Sequence, residues 1–230
     1  MASVDLHALL QDPKIESVLE RAYAEWKAQR RQLLRRFLPL VPKLLLRRKM
    51  DWGQSMFDRT RDMYLPLEAQ QGALLYLAAR ATGARRIAEY GTSFGVSTLF
   101  LAAAVRENGG GTVIGTEILP EKAEVARANF AEAGVSELVD LRVGDARETL
   151  VDCGGEVDLV LLDGFKDIEL DVLQTLKPQL RRGALVFTDN IYTFHADNRE
   201  KRAYTADPSN GFRAAVLPLK DGMEMAVYTG

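Results

Sequence analysis

The stretch "RRIAEYGTSFGVSTLFLAAAVREN", residues 85–108, has the pattern of a short apolar strand, a turn with two glycines and an apolar helix. The same alternation continues downstream. Strands are predicted at 111–118, 139–144, 157–164 and 184–190, and helices at 120–134, 145–153 and 169–183. Strands that alternate with helices form βαβ units, so we expect an α/β fold with a parallel sheet and helices on both faces.

The end of the chain leaves this rhythm. A polar loop is predicted over 191–211, followed by strands at 212–219 and 222–229 that form a hairpin turning at Lys220-Asp221. The expected result is a Rossmann-like, seven-stranded, mostly parallel sheet that ends in an antiparallel hairpin. Such an ending differs from the second βαβαβ half of a dinucleotide-binding dehydrogenase.

The first part of the chain is helical in pattern. We predict an N-terminal helical, basic extension at 1–62 and a main domain at 63–230, whose first helix runs from Pro66 to Gly83. Residues 27–50 hold nine Lys or Arg residues and no acid. The favoured interpretation is a pair of amphipathic helices, broken near Pro39 and Pro42, whose leucines pack on the body or on a second subunit of a homodimer. Contact with a membrane surface or an acidic partner is the alternative.

Composition narrows the classes of function. With 47% hydrophobic and 27% charged residues, the chain is typical of a globular protein, and we expect it to be cytoplasmic because it lacks a signal-peptide pattern and an apolar run of about 20 residues. Because the net charge is −2, we expect no nucleic-acid partner. One cysteine and two histidines exclude a disulfide framework and make a histidine-rich metal site hard to build. Catalytic groups are therefore expected among carboxylates, amides and lysines.

Ligands of open α/β sheets bind beyond the carboxyl ends of the strands. Gly91 and Gly95 would let the backbone after the first strand turn tightly and approach a ligand, although a tight turn alone would explain them. Glu117 ends the second strand, where an acid can accept hydrogen bonds from ribose hydroxyls. These features do not separate NAD from S-adenosylmethionine.

A second polar cluster follows two strands that we expect to be neighbours. Asp163 and Lys166 come after the strand at 157–164, and Asp189 and Asn190 end the strand at 184–190. Two carboxylates and an amide oxygen suit Mg²⁺. Asn190 can join them only if the chain leaves strand geometry there, since neighbouring residues of a strand point to opposite faces. The other interpretation is a helix cap at Asp163 and a strand-ending turn at 189–190.

Taken together, "EYGTSFG", "VGDARETL", "LLDGFKD", "TDN" and "DGMEMAVYTG" resemble the class I S-adenosylmethionine-dependent O-methyltransferases, in particular the catechol and caffeoyl-CoA O-methyltransferases. The resemblance runs from about Met63 to Gly230. It implies S-adenosylmethionine as cofactor and Mg²⁺, or another divalent cation, held by Asp163, Asp189 and Asn190. The cofactor-binding positions that it implies are Leu65, Glu89, Gly91, Ser93, Ser97, Glu117, Asp145, Ala146 and Asp163.

The implied reaction moves a methyl group to a hydroxyl of a catechol-like small molecule, with Lys166 as the base. A cation at the site would stabilise the phenolate and lower the pKa of Lys166; otherwise Lys166 is a solvated lysine paired with Asp167. Two positions depart from the family pattern. Phe165 stands where catechol enzymes usually carry tryptophan, and Ala215 aligns with a glutamate that holds the second hydroxyl.

Two further functions are open on the sequence alone. An NAD-dependent oxidoreductase fits the glycine turn and Glu117, but the terminal hairpin and the absence of G-x-G-x-x-G oppose it. The other is a methyltransferase-like binding module without turnover that is recruited through the basic segment. The presence of Asp163, Lys166, Asp189 and Asn190 opposes it, because a module without turnover does not need these residues.

Overall fold

A computed structural model of the chain describes residues 4–230. The seven strands are β1 (Arg86–Tyr90), β2 (Thr112–Glu117), β3 (Val139–Val143), β4 (Val157–Leu162), β5 (Leu180–Thr188), β6 (Phe212–Leu217) and β7 (Met223–Tyr228). The helices among the described residues are α1 (Leu6–Leu10), α2 (Pro13–Phe37), α3 (Val41–Leu45), α4 (Gln54–Thr60), α5 (Ala69–Thr82), α6 (Val96–Glu107), α7 (Pro120–Glu132), α8 (Ala146–Thr149), α9 (Glu169–Leu176) and α10 (Arg199–Ala206).

The strands form one sheet in the order β3-β2-β1-β4-β5-β7-β6. The first five are parallel, and β7 pairs antiparallel with both β5 and β6. The predicted Rossmann-like fold is confirmed. The strand order reverses at β1, which has β2 on one side and β4 on the other. The loop that follows β1 therefore lies at the topological switch point, where ligands bind in such folds.

The helices before Met63 share the core of the main domain. Ile15, Val18 and Leu19 of α2 are fully buried, in the same apolar cluster as Leu99 and Phe100 of α6. The predicted division at residue 62 is therefore not a division of the hydrophobic core.

Several predicted boundaries were wrong, and one helix was missed; the helix expected over 145–153, for example, ends at Thr149. The helix expected over 169–183 ends at Leu176, because Pro178 cannot continue it, and β5 already begins at Leu180. The helix expected to open at Pro66 begins at Ala69, where Glu68 and Gln71 form a capping box. The loop predicted over 191–211 contains helix α10.

The basic segment breaks where the prolines predicted. A short 3₁₀ turn at 38–40 separates α2 from α3. Phe37, Leu40 and Leu44 pack inward against a cluster that contains Trp52, but Leu38 and Leu45 are 67% and 79% exposed. The outer leucines therefore do not pack on the body of the protein, and the other half of the prediction, packing on a second subunit, is untested. Among residues 4–230, no helix is both long and apolar enough to span a bilayer.

Candidate active site

A cavity of about 610 Å³ opens at the carboxyl ends of β1, β2, β4 and β5. Its wall includes Gly91, Glu117, Asp163, Lys166 and Asp189. The structure therefore brings the two predicted clusters, the glycine turn with its acid and the charged set, into one space.

The loop after β1 needs glycine for a steric reason. Gly91 has φ +95°, and a Cβ there would lie 2.7 Å from the backbone nitrogen of Gly164 and 2.8 Å from the carbonyl carbon of Asp163. The ends of β1 and β4 approach so closely that a side chain does not fit. Gly91 thus couples the position of the loop after β1 to that of the charged residue Asp163.

Glu117 lies next to this loop, and its carboxylate is held by backbone donors. Oε2 accepts from the amide of Ser93 at 2.8 Å, and Oε1 accepts from the amide of Leu119 at 2.9 Å. Ser93 has φ +50°, and its hydroxyl lies 3.2 Å from Nζ of Lys122. The acid is thereby fixed at the mouth of the cavity, where it can accept hydrogen bonds from vicinal hydroxyls.

Glu89 is not brought to the cavity. Its carboxylate is fully buried and accepts hydrogen bonds from the hydroxyls of Thr92, Ser97 and Thr98 at 2.7, 2.6 and 2.5 Å. Burial raises the pKa of Glu89, although these three hydrogen bonds oppose the shift. In this structure Glu89 fastens the loop to α6 from below rather than facing a ligand.

The other predicted cofactor residues lie at the cavity or beside it. Leu65, Ser93, Asp145 and Ala146 line the cavity, and Ser97 lines a small adjoining pocket. Asp145 caps α8 and pairs with Arg147, whose guanidinium lowers the pKa of Asp145.

The two predicted metal carboxylates follow residues that are paired across the sheet. Leu162 of β4 lies in register with Thr188 of β5, so Asp163 and Asp189 leave neighbouring strands side by side. Burial raises the pKa of both carboxyl groups, and the pKa of Asp163 is raised further by the charge of Asp189. Asn190 has φ +60°, so the chain does leave strand geometry there.

This donor set fits a hard divalent cation. The amide nitrogen of Asn190 donates to Oδ2 of Asp189 at 3.0 Å, and Nε2 of Gln71 donates to Oδ1 at 2.5 Å. Among residues 4–230, no three His, Cys, Asp or Glu side chains form a metal cluster, so the available set is two carboxylates and one amide. Two neighbouring buried carboxyl groups, both with a pKa raised by burial, would be stabilised in their charged form by a cation between them.

Lys166 is buried, and its partner is Glu169 rather than Asp167. Its Nζ lies 2.7 Å from Oε1 of Glu169 and 3.9 Å from Oδ1 of Asp163. Burial alone would lower the pKa of Lys166, but these carboxylates outweigh burial and raise it. The lowered pKa that we expect for Lys166 beside a bound dication stays a prediction. The alternative interpretation, a solvated Lys166 paired with Asp167, is not found, because Lys166 is buried and its Nζ contacts Glu169.

Sequence reasoning missed the aromatic wall of the cavity. Trp52 packs on Phe165 and Phe194 with ring centroids 5.2 and 4.9 Å apart, and Phe57 lies 4.6 Å from Phe165. Trp26, Leu33, Leu34 and Phe37 of α2 extend the wall. The only sequence signal was Phe165 beside Lys166. The other rings lie in the N-terminal helical extension or in the loop predicted over 191–211, and nothing in the sequence places either of these at the cavity.

Comparisons with known proteins agree with this architecture. A family model described as "Methyltransferase domain" matches residues 88–191. A catechol O-methyltransferase of Mycobacterium tuberculosis (strain H37Rv) is 41% identical over 128 residues, which cover 55% of this chain and 57% of that protein. The chain thus matches little more than half the length of this curated relative.

Two solved structures extend the comparison over more of the chain. The cofactor-bound structure of Rv0187 from MTB is 30% identical, covers 83% of this chain and 89% of its own, and has a TM-score of 0.67. The O-methyltransferase TomG from Streptomyces achromogenes, involved in tomaymycin synthesis and solved with SAM, is 29% identical, covers 79% and 92%, and has a TM-score of 0.66.

Proposed function

The chain belongs to the class I S-adenosylmethionine-dependent O-methyltransferase family, and from this we propose that it is a Mg²⁺-dependent enzyme that methylates a hydroxyl of a vicinal dihydroxy aromatic small molecule. One observation carries the proposal. Asp163 and Asp189 leave neighbouring strands at a cavity whose other walls are the Glu117 loop and a set of aromatic rings. Cofactor, cation and aromatic acceptor would therefore meet at one edge of the sheet.

Each cavity residue has a proposed role that follows from its position. When bound, S-adenosylmethionine supplies an electrophilic methyl group and Mg²⁺ supplies positive charge that favours the deprotonated acceptor oxygen. Glu117 would hold the ribose hydroxyls, and Asp163, Asp189 and Asn190 would hold the cation. Lys166 is the proposed acceptor of the hydroxyl proton. It can accept a proton only in its neutral form, so this role requires a bound cation that lowers the pKa which Glu169 and Asp163 raise. Glu169, 2.7 Å from Nζ, fixes the position of that amine.

The acceptor class is inferred from the aromatic wall. Trp52, Phe57 and Phe165 all line the cavity, so a flat ring can pack against this wall while two adjacent oxygens reach the charged set. Ala215, which aligns with a hydroxyl-holding glutamate in catechol enzymes, is exposed on the edge strand β6 and pairs with Met225. The chain offers no acceptor group at this position, so the second hydroxyl would be held by the cation.

The test is a turnover assay with catechols, caffeoyl esters and flavonoids, with and without Mg²⁺. We expect methyl transfer to a vicinal diol that EDTA abolishes and that Asp189→Ala reduces by at least a hundredfold. Asp171→Asn, at an exposed carboxylate on α9, is the matched control and should keep full turnover. Full turnover of Asp189→Ala, or activity that ignores EDTA, would contradict the metal role.

Calorimetry with S-adenosylmethionine and NADH separates the alternatives. A binding module would bind S-adenosylmethionine and turn over no diol, and an oxidoreductase would bind NADH. The antiparallel β6–β7 hairpin opposes the oxidoreductase, since a dinucleotide-binding dehydrogenase continues its parallel sheet.

A further inference from the structure

An apolar stripe on the basic segment is uncovered. We call Leu34, Leu38, Val41 and Leu45 the leucine stripe; their side chains are 63%, 67%, 39% and 79% exposed. The spacing of four, three and four residues places them on one face of a nearly continuous helix. Isolated exposed leucines are ordinary, but a row of them on one face marks a surface that contacts something apolar.

Positive charge surrounds the stripe. Lys27, Arg30, Arg31 and Arg35 precede or flank its first leucine, and Lys43, Arg47 and Arg48 flank its end. In the described part of the chain, ion pairs occupy only two of the nine cations of residues 27–50: Arg36 pairs with Asp62, and Lys49 pairs with Glu200. The cations next to the stripe are therefore available to an external anion.

Two occupants fit an apolar stripe, and the charge decides between them. In a two-fold symmetric dimer the same patch faces itself, so the stripe would bring together two segments of nine cations and no acid. Like charges in contact oppose such an interface. An anionic lipid surface offers acyl chains to the leucines and negatively charged headgroups to the cations.

We propose that residues 27–50 dock the protein on an anionic lipid surface, with the leucine stripe in the acyl boundary and the surrounding cations on the headgroups. Leu34 belongs both to the stripe and to the wall of the cavity. Docking therefore places one side of the cavity mouth at the lipid surface, where an apolar acceptor would be concentrated. That last consequence rests on the proposed function; the docking itself does not.

The test is flotation of the full chain with vesicles of phosphatidylcholine alone and of phosphatidylcholine with one third phosphatidylglycerol. We expect binding only to the anionic vesicles, and weaker binding as salt rises. Leu38→Glu/Leu45→Glu should weaken it at least tenfold. Lys43→Ser/Arg47→Ser/Arg48→Ser should weaken it roughly a hundredfold, about fivefold for each cation near the surface.

The control is Leu77→Glu, since Leu77 is also an exposed leucine (53%), on α5, away from the basic segment. Its vesicle binding should equal that of the unmodified chain. All variants should retain S-adenosylmethionine binding by calorimetry, which keeps a folding defect, or a failure of the proposed chemistry, distinguishable from lost docking.

Three results would overturn the proposal. One is no flotation with anionic vesicles at low salt. Another is binding that survives Leu38→Glu/Leu45→Glu but not the serine variant, which would mean attraction by charge alone. The third is a stable dimer by light scattering that Leu38→Glu/Leu45→Glu converts to a monomer, which would assign the stripe to a second copy of the chain.

Discussion

Replacing Gly91 by alanine tests how the loop after β1, the proposed cofactor loop, is built. At φ +95° an alanine costs about 1–2 kcal/mol through its backbone conformation. Its Cβ would also lie 2.7–2.8 Å from backbone atoms of Asp163 and Gly164, which cannot move aside as a flexible side chain could. Overpacking of this kind costs about 1–3 kcal/mol, so the expected total is about 2–5 kcal/mol.

Gly83→Ala is the matched control. Gly83 also has a positive φ, +63°, but a Cβ there meets nothing within 4 Å. It should cost only the backbone share of about 1–2 kcal/mol. At roughly 2–4 °C per kcal/mol for a chain of this size, Tm should fall by about 4–20 °C for Gly91→Ala and by about 2–8 °C for Gly83→Ala.

Differential scanning calorimetry gives both stabilities, and titration calorimetry with S-adenosylhomocysteine gives the affinities. Gly91→Ala should lose at least tenfold in affinity, because relief of the clash displaces the loop, while Gly83→Ala should bind normally. If the two variants had equal Tm values and Gly91→Ala kept its affinity, the close approach of β1 and β4 could not be the reason that position 91 requires glycine.

Three other variants test separate features. Lys201→Met should cost about 3 kcal/mol in chemical unfolding, the low end for breaking a buried ion pair, because Glu224 loses its 2.8 Å ammonium but keeps Arg202 at 3.5 Å and the Thr205 hydroxyl. Lys201→Met/Glu224→Met should recover most of that loss. Asp12→Ala should cost about 1–2 kcal/mol at pH 7, since Asp12 caps α2 and pairs with Arg106. Burial alone would raise the pKa of Asp12, but its hydrogen bonds and Arg106 lower it below its usual value. The cost of Asp12→Ala should therefore be full above about pH 5 and shrink as the pH falls through the lowered pKa, as measured by urea titrations across that range. Phe165→Leu should raise KM for an aromatic acceptor several-fold by removing a stacking surface, with S-adenosylmethionine affinity unchanged by calorimetry.

The sheet and the charged edge could be predicted because both depend on short-range pattern and strand order. Once β4 and β5 are neighbours, Asp163 and Asp189 follow adjacent strand ends and must lie side by side. This prediction does not depend on the structure of residues 164–179. Helix α10 could not be predicted in the same way. Its buried side chains are Lys201 and Thr205, so the face that it turns inward has no apolar period to detect.

The outer leucines show the opposite limit. Their spacing correctly indicated one face of a helix, but spacing is the same whether a face packs inward, meets a partner or meets lipid. The favoured interpretation chose packing because it required nothing else. Only the exposure of Leu38 and Leu45, together with the inward packing of Phe37 and Leu44, separates the two sides of this segment.

The polar interior of α10 also bears on how the charged edge keeps its shape. Nζ of Lys201 donates to Oγ1 of Thr188, the last residue of β5, at 2.7 Å, and to Glu224 of β7 at 2.8 Å. Asp189 follows Thr188 directly, so the strand end that presents a proposed metal ligand is tied to a helix by a buried lysine. An apolar contact could slide by a fraction of an ångström at little cost, whereas a buried ammonium with two fixed acceptors cannot. A site that must hold two carboxylates close together against their mutual repulsion therefore gains its rigidity from polar contacts behind it, which explains why this helix buries charge where an ordinary helix would bury leucine.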